Sequence, residues 1–303
     1  MTPASPAQLD LFRSTPGVAT PALLLADLVG PLDAPEPVPE DKRLTGERQT
    51  LALLLWLHRF GWLTSRMVGA LLFPTASQSW PLARRLLKKL LTDKLILVRA
   101  LPQGGDVYLL SVKGARLLNE TTGFAATSGQ SLATGNALHR ACGNWFLIAQ
   151  VHAKRGIFTE HEIASGRAAI QTLNGKMPDA LVVHDGGLLT WVEVENTWKN
   201  RTRRQAVVDL ATRHLGREAL TQVGVDAHGT ELYLARLAVV ATHPDSLRSM
   251  AATFQASHRL QVASEACLAS VDVAVLPISA SLVAGEVEEG NLWWDVVLPH
   301  TRG

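Results

Sequence analysis

The chain has little cysteine and little net charge. Its 303 residues include only two cysteines, Cys142 and Cys267, and neither belongs to a spacing typical of a metal site. Two cysteines are also too few for a disulfide framework, so we interpret both as small apolar residues in a reducing compartment. The formal net charge is +2, so overall charge does not indicate nucleic acid as a partner. Only the local distribution of charge can do that.

Long apolar runs are also missing. Charged residues or prolines interrupt every apolar stretch well before the 18 residues that a membrane-spanning helix requires. The first residues contain no basic segment ahead of an apolar run, which argues against a secretory signal. We therefore expect a cytoplasmic protein without membrane contact.

Length and composition predict two domains of ordinary size. Apolar residues make up 47% of the chain, which is typical of a globular protein. Many of the prolines lie near the N-terminus, where they argue against regular structure. The predicted organisation is a proline-rich arm at 1–43, a helical DNA-binding domain at 44–120, a linker at 121–135, an α/β domain at 136–280 and a tail at 281–303. The predicted fold class is α+β.

The 44–120 segment is typical of a winged helix-turn-helix, in which three helices precede a β-hairpin. Apolar residues recur at helical spacing, and a Gly104-Gly105 turn separates two β-rich runs. The predicted elements are helices at about 45–60, 64–73 and 77–93, strands at 95–101 and 107–110, and a closing helix from Ser111. This order of elements predicts binding to double-stranded DNA.

The third of these helices carries the charge that DNA binding requires. Its leucines leave the cations largely on the opposite face, where they can displace counterions from phosphates. The cations are Arg84, Arg85, Lys88 and Lys89, with Lys94 and Arg99 just beyond the helix. Further candidate contacts are Ser77, Gln78 and Ser79 at the start of the helix and Gln103 at the hairpin tip. A winged helix that binds protein, or a small helical subdomain with a solvated basic face, stays open as an alternative.

Acidic residues mark two neighbouring strands of the second domain. Asp179 opens one predicted strand, and Glu193 and Glu195 end the next after a Gly186-Gly187 turn. Antiparallel pairing brings Asp179 near Glu193, and strand alternation places Glu193 and Glu195 on one face. Converging carboxylates suit Mg²⁺ or Mn²⁺, which can activate water for phosphodiester hydrolysis.

With these residues, the second domain resembles the PD-(D/E)xK nuclease superfamily. The family core is a helix, a three-stranded meander, a basic helix and a further strand. The resemblance implies that Asp179, Glu193 and Glu195 are metal ligands and catalytic residues, but Glu195 stands where the family has lysine. Lys199 or Arg201 would then supply the cation, and Glu160 or Glu162 a further acid. The basic helix offers Arg201, Arg203 and Arg204 as DNA contacts, whether or not the DNA is cut.

A narrower resemblance joins the two domains. The Leu72-Phe73-Pro74 turn, the run from Lys113 to Leu118 and the Pro178–Leu181 strand are similar to replication-relaxation and plasmid-mobilisation proteins. This resemblance implies an accessory protein at an origin of replication or conjugative transfer, with a relaxase or replication initiator as partner. A homodimer is also expected, and Trp293 and Trp294 indicate either a packed strand or a contact of that dimer. The alternatives are a metal-dependent endonuclease or nickase and a winged-helix transcriptional repressor.

Overall fold

The computed structural model describes residues 41–102, 104–196, 201–226, 228–279, 281–284 and 288–290. Four predictions fall outside these residues: the proline-rich arm up to residue 40, Gln103, Lys199 and the Trp293-Trp294 pair.

The first part of the chain is a set of helices closed by a small sheet. Its elements are α1 (Lys42–Phe60), β1 (Trp62–Thr64), α2 (Ser65–Leu72), α3 (Ser79–Thr92), β2 (Ile96–Ala100), β3 (Asp106–Leu110) and α4 (Val112–Thr122). Helix α1 begins after Asp41, whose carboxylate accepts from the Arg43 amide, and it ends at Gly61 with φ of 77°. The three strands pair antiparallel in the order β1-β3-β2.

Close contact between α2 and α3 depends on a glycine. A Cβ at Gly69 would lie 3.2 Å from the Ser79 carbonyl oxygen and 3.4 Å from the Trp80 amide nitrogen. Thr64 caps α2, with its hydroxyl accepting from the Met67 amide. The buried side of α3 consists of Ala83, Leu86, Leu87 and Leu90. The amphipathic spacing that predicts a helix here therefore also sets which side of α3 faces solvent.

The predicted linker at 121–135 packs onto the first part of the chain. Phe124 and Ala126 are buried in the core, and the Gly129 amide donates to the Leu110 carbonyl. Arg99 donates to the carbonyls of Gln130 and Leu132. These contacts fix the path of the segment between the two parts of the chain.

The second part is a mixed sheet between two groups of helices. Its elements are α5 (Ala137–His152), β4 (Gly156–Phe158), α6 (Glu160–Ala164), β5 (Ala180–Val183), β6 (Leu188–Val194), α7 (Arg201–His214), β7 (Thr221–Val225), β8 (Glu231–Ala241), α8 (Pro244–Arg259), α9 (Glu265–Ala269), β9 (Val271–Val275) and β10 (Glu288–Gly290). The strand order is β10-β9-β8-β6-β5-β4, with β7 paired to β8. Strands β4, β5 and β6 form an antiparallel meander, and β8 and β9 run parallel to β6. The prediction of an α+β protein is confirmed.

One predicted strand is wrong in its second half. We expect a single strand from Ile157 to Ile163, but β4 ends at Phe158 and helix α6 follows. Thr159 and Glu162 form a capping box, in which each side chain accepts from the backbone amide of the other residue. These two hydrogen bonds satisfy amides at the start of a helix, and they turn the chain out of the sheet.

The two parts share one continuous apolar core. It contains Leu53, Leu57 and Leu118 from the first part together with Val182, Val194 and other residues of the sheet. A buried ion pair reinforces the junction, since Arg59 Nε lies 2.7 Å from Glu162 Oε1 and both side chains are at most 6% exposed. The Asn144 side chain also donates to the Trp62 carbonyl. The two parts are therefore packed against each other rather than only joined by a linker.

Among the described residues, no helix combines the length and apolarity needed to span a bilayer.

Candidate nucleic-acid interface and acidic end of the sheet

Helix α3 presents a basic face to solvent. Its four cations are exposed, and none forms an ion pair with another described residue: Arg84, Arg85, Lys88 and Lys89. Lys94, just after the helix, is also exposed. Positive charge that is not paired with carboxylates raises the local potential and favours a polyanion.

A tryptophan at the start of α3 gathers two arginines that come from different helices. The Arg66 guanidinium carbon lies 3.9 Å from the centre of the Trp80 ring, and that of Arg84 lies 5.2 Å from it. The Trp80 Nε1–H donates to Ser65 Oγ at 3.0 Å, which fixes the ring against α2. Stacking on an aromatic face restricts a guanidinium and leaves its N–H groups available to an acceptor. Arg66 and Trp80 are residues that the sequence analysis missed.

The basic face extends toward β3. Burial, and then Asp106, raise the pKa of Tyr108, whereas the nearby Arg84 lowers it. Arg84 is therefore near both the Trp80 ring and Tyr108 of the hairpin. Of the predicted polar contacts, Ser77 and Gln78 are exposed and Ser79 is half-buried.

Arg99 lies apart from this face. Its guanidinium donates to the carbonyls of Gln130 and Leu132, so Arg99 anchors the segment that connects the two parts of the chain. The contact of Arg99 with DNA stays a prediction, and these hydrogen bonds do not favour it.

The acidic residues lie where β5 begins and β6 ends. Asp179 directly precedes β5, and its backbone amide donates to the Val192 carbonyl at 3.0 Å. One of its carboxylate oxygens accepts from the Val194 amide at 2.8 Å, and the other lies 3.1 Å from His139 Nε2. The Asp179 side chain therefore completes the hydrogen bonding of the strand pair and orients His139 of α5.

Glu193 is buried and paired with a cation that comes from an unexpected position. Its side chain is 1% exposed, with Oε1 accepting from Trp191 Nε1 at 2.6 Å and Oε2 lying 2.8 Å from Lys176 Nζ. Lys176 lies in the loop before β5. The family resemblance implies Lys199 or Arg201 as the cation. Lys176 is not predictable from the sequence, because its contact with Glu193 depends on how this loop folds back.

Glu195 lies just beyond β6 and is 2% exposed. Its amide donates to the Val240 carbonyl at 2.7 Å, which extends the parallel pairing with β8. The next residue, Asn196, bridges two elements, since its side chain donates to the Leu138 carbonyl and accepts from the Thr242 amide. The end of β6 is therefore fixed by hydrogen bonds on both sides.

The carboxylates of Asp179 and Glu193 are engaged with protein groups in this arrangement. The described residues contain no group of three or more His, Cys, Asp or Glu side chains that could hold a metal ion. Both oxygens of Asp179 and both oxygens of Glu193 already face protein donors. The expected Mg²⁺ or Mn²⁺ stays a prediction.

The remaining predicted residues are spread over two helices. Arg201 and Arg203 are exposed on α7, and Arg204 is half-buried there. Glu160 pairs with Arg140 at 3.0 Å, and Glu162 pairs with Arg59. Neither glutamate joins Asp179 or Glu193, because the capping box places both on α6 instead of the sheet.

Comparison of the chain with protein-family models, with curated proteins and with solved structures finds no match.

Proposed function

We propose that this protein binds double-stranded DNA through a winged helix-turn-helix at 44–120, with α3 as the recognition helix. The observation that carries the proposal is the exposed face of four cations on α3, without carboxylate partners among the described residues. The order of three helices and a hairpin, with α2 packed across α3, supports it because winged helices place the later helix in the major groove.

The Trp80 cluster adds to this support. It places Arg66 of α2 beside Arg84 of α3, so that both helices contribute a cation to one surface. Arginine and lysine contacts to phosphates provide most of the affinity for DNA, and each contact increases the salt dependence of binding. In this proposal Arg66, Arg85 and the α3 lysines contact phosphates, and Ser77 and Gln78 contact bases.

The second part of the chain fits a nuclease-like domain with weak or no activity. A helix, an antiparallel meander, a basic helix and a parallel strand occur as α5, β4–β6, α7 and β8, which is the order of the PD-(D/E)xK core. The carboxylates of Asp179 and Glu193 are engaged with His139, Trp191 and Lys176. Because these carboxylates are occupied, we infer that the domain has a structural role and provides a second basic surface on α7.

The resemblance to replication-relaxation and plasmid-mobilisation proteins supports a more specific role. In this proposal the protein acts at an origin of replication or transfer on a mobile element, as an accessory to a relaxase or replication initiator. The DNA recovered with the protein from its host tests this role, since an origin sequence is expected. Enrichment of a single operon promoter instead would favour a transcriptional repressor.

The DNA-binding proposal is tested by the salt dependence of binding to a random-sequence duplex. Replacing the four α3 cations with alanine should weaken binding and lower the slope of log K against log salt by about 0.9 for each lost phosphate contact. The matched control removes four exposed arginines elsewhere: Arg43, Arg116, Arg248 and Arg259. Equal effects of the two quadruple variants would refute α3 as the recognition helix.

Cleavage is tested separately on supercoiled plasmid with Mg²⁺ or Mn²⁺. We expect no nicking above background. Metal-dependent nicking that is lost in Asp179→Asn would overturn the proposal of a weak or inactive domain and favour the nickase alternative.

A further inference from the structure

A cavity of about 430 Å³ lies on the α5 side of the large sheet, away from α3 and from Asp179 and Glu193. Its lining includes Phe146 of α5 and three small or branched side chains of the sheet, Val182, Ala238 and Ala274. All four are buried. Because α5 ends at His152 and strands β8 and β9 carry alanine here, this part of the sheet keeps an open, apolar floor.

The rim of the cavity is polar and carries two arginines. Arg155 Nη1 donates to Gln150 Oε1 at 2.6 Å, and Arg236 forms a two-point ion pair with Asp272. His184 Nε2 lies 2.8 Å from Thr190 Oγ1. Gln150 and Thr190 are each 5% exposed, so polar groups are built into the wall of the cavity as well as its edge.

The charges at the rim do not balance. Arg155 and Arg236 face the cavity together with one carboxylate, Asp272. The effect is visible at His184, whose pKa is lowered by burial and then by Arg155 and Arg236, against the opposing influence of Asp272 and Asp185. Both guanidinium groups are thus close enough to act on the imidazole. A cavity with excess positive charge and an apolar floor attracts an organic anion.

We propose that this cavity binds a phosphorylated small molecule of about nucleotide size, with its phosphate at Arg155, His184 and Thr190 and its organic body on the floor beside Phe146. A phosphate monoester carries more than one negative charge near neutral pH, which matches the arginine that Asp272 leaves uncompensated. Arg155 donates to a neutral amide and is exposed, so it is free to turn toward such a ligand. The volume falls within the range of small-molecule sites, which is roughly 300–1,000 Å³.

The cavity is separate from the acidic end of the sheet. Strand β5 begins after Asp179 and ends before His184, so these two residues lie at opposite ends of one strand. Ligand binding at His184 therefore does not depend on the proposed DNA-binding function or on the state of Asp179.

The test is calorimetric titration of the full chain with adenosine 5′-monophosphate, with inorganic phosphate and with unphosphorylated adenosine. We expect saturable binding of the nucleotide, weaker binding of phosphate and no binding of adenosine. Arg155→Met should weaken nucleotide binding about tenfold or more, since a charge-assisted hydrogen bond is lost. The control is Lys154→Met, which removes the same charge from the neighbouring residue, outside the cavity lining.

A second readout follows the His184 ring by NMR. The bound phosphate should raise the pKa of His184 toward its ordinary value, and the shift should disappear in Arg155→Met. The proposal is overturned if neither phosphate nor nucleotide saturates at millimolar concentration, if adenosine binds as well as its monophosphate, or if Lys154→Met has the same effect as Arg155→Met.

Competition with duplex DNA distinguishes the two sources of phosphate. Displacement of the nucleotide by a duplex would overturn the proposal of a small-molecule site, because it would indicate a DNA phosphate as the occupant. Nucleotide binding that persists in the presence of duplex supports a free phosphorylated molecule.

Discussion

The buried pair of Arg59 and Glu162 allows a quantitative test of how the two parts of the chain are joined. Arg59 Nη2 also donates to the Ile157 carbonyl at 2.6 Å, and Glu162 Oε2 accepts from the Thr159 amide at 2.9 Å. Glu162→Gln keeps the shape of the side chain but leaves a guanidinium at 5% exposure without its counterion. Breaking a buried pair in this way costs about 3–5 kcal/mol of the free energy of unfolding.

A second pair on the same short helix provides the matched control. Glu160 lies 3.0 Å from Arg140, and its side chain is 34% exposed. Because solvent screens this pair, Glu160→Gln should cost at most about 1 kcal/mol. The double variant Arg59→Met with Glu162→Leu removes both buried charges. It should be more stable than Glu162→Gln alone, with a remaining cost of about 1–2 kcal/mol for the lost cap on α6.

The assay is urea unfolding at pH 7, followed by far-UV circular dichroism. The midpoint should decrease in Glu162→Gln without a change in the slope, and both parts should unfold in one transition because they share a core. A cost for Glu162→Gln no larger than that for Glu160→Gln would refute the reasoning. Two separate transitions would show that the parts are stabilised independently.

Three further predictions concern pH, helix packing and the Trp80 cluster. Burial, and then Arg167, lower the pKa of His58 from 6.5 to about 3, so below pH 6.5 the unfolded chain binds the proton more tightly than the folded chain. The free energy of unfolding should therefore decrease as the pH falls, by about 2 kcal/mol between about pH 7 and 5 for this residue. Urea titration at each pH should show a smaller decrease in His58→Gln. Gly69→Ala should lower the free energy of unfolding by about 1–3 kcal/mol, measured by heat or urea, because the new Cβ meets the backbone of α3. As a control, Gly46→Ala should stabilise α1 by about 0.5–1 kcal/mol, because its Cβ enters open space. Arg66→Ala should lower the salt slope of DNA binding by about 0.9, and Trp80→Phe should retain more of the wild-type slope than Trp80→Leu. A wild-type slope in Arg66→Ala would exclude Arg66 from the interface.

Much of the secondary structure follows from local sequence. Strand β6 has the bounds that its apolar run predicts, Leu188–Val194, because the two glycines before it form the turn. Helix α4 begins after Ser111, whose hydroxyl accepts from the Gly114 amide as its capping position predicts. By contrast, β7 is stabilised by its pairing with β8, and nothing in its own five residues identifies it. The capping box that begins α6 has a sequence signature, Thr-x-x-Glu, that a search for helix starts would find.

The candidate site residues are also only partly predictable from the sequence. The cations of α3 follow from one helical stretch, so their common face is predictable from spacing alone. Arg66 comes into contact with Trp80 only because α2 crosses α3 at Gly69, and Lys176 comes into contact with Glu193 only through a loop that folds back on the sheet. Contacts between elements depend on crossing angles and loop paths, which periodicity does not specify.

The contacts around Glu193 change the interpretation of Glu195. By resemblance to the nuclease superfamily, Glu195 replaces a lysine that would assist cleavage. In the structure, Glu193 already has a cation, Lys176, and Glu195 is buried at the end of β6 with its amide bonded to β8. A lysine introduced at 195 would enter this buried position beside an ion pair that is already formed. Substituting that one residue is therefore insufficient to create the family arrangement, because the donors around Asp179 and Glu193 would also have to move.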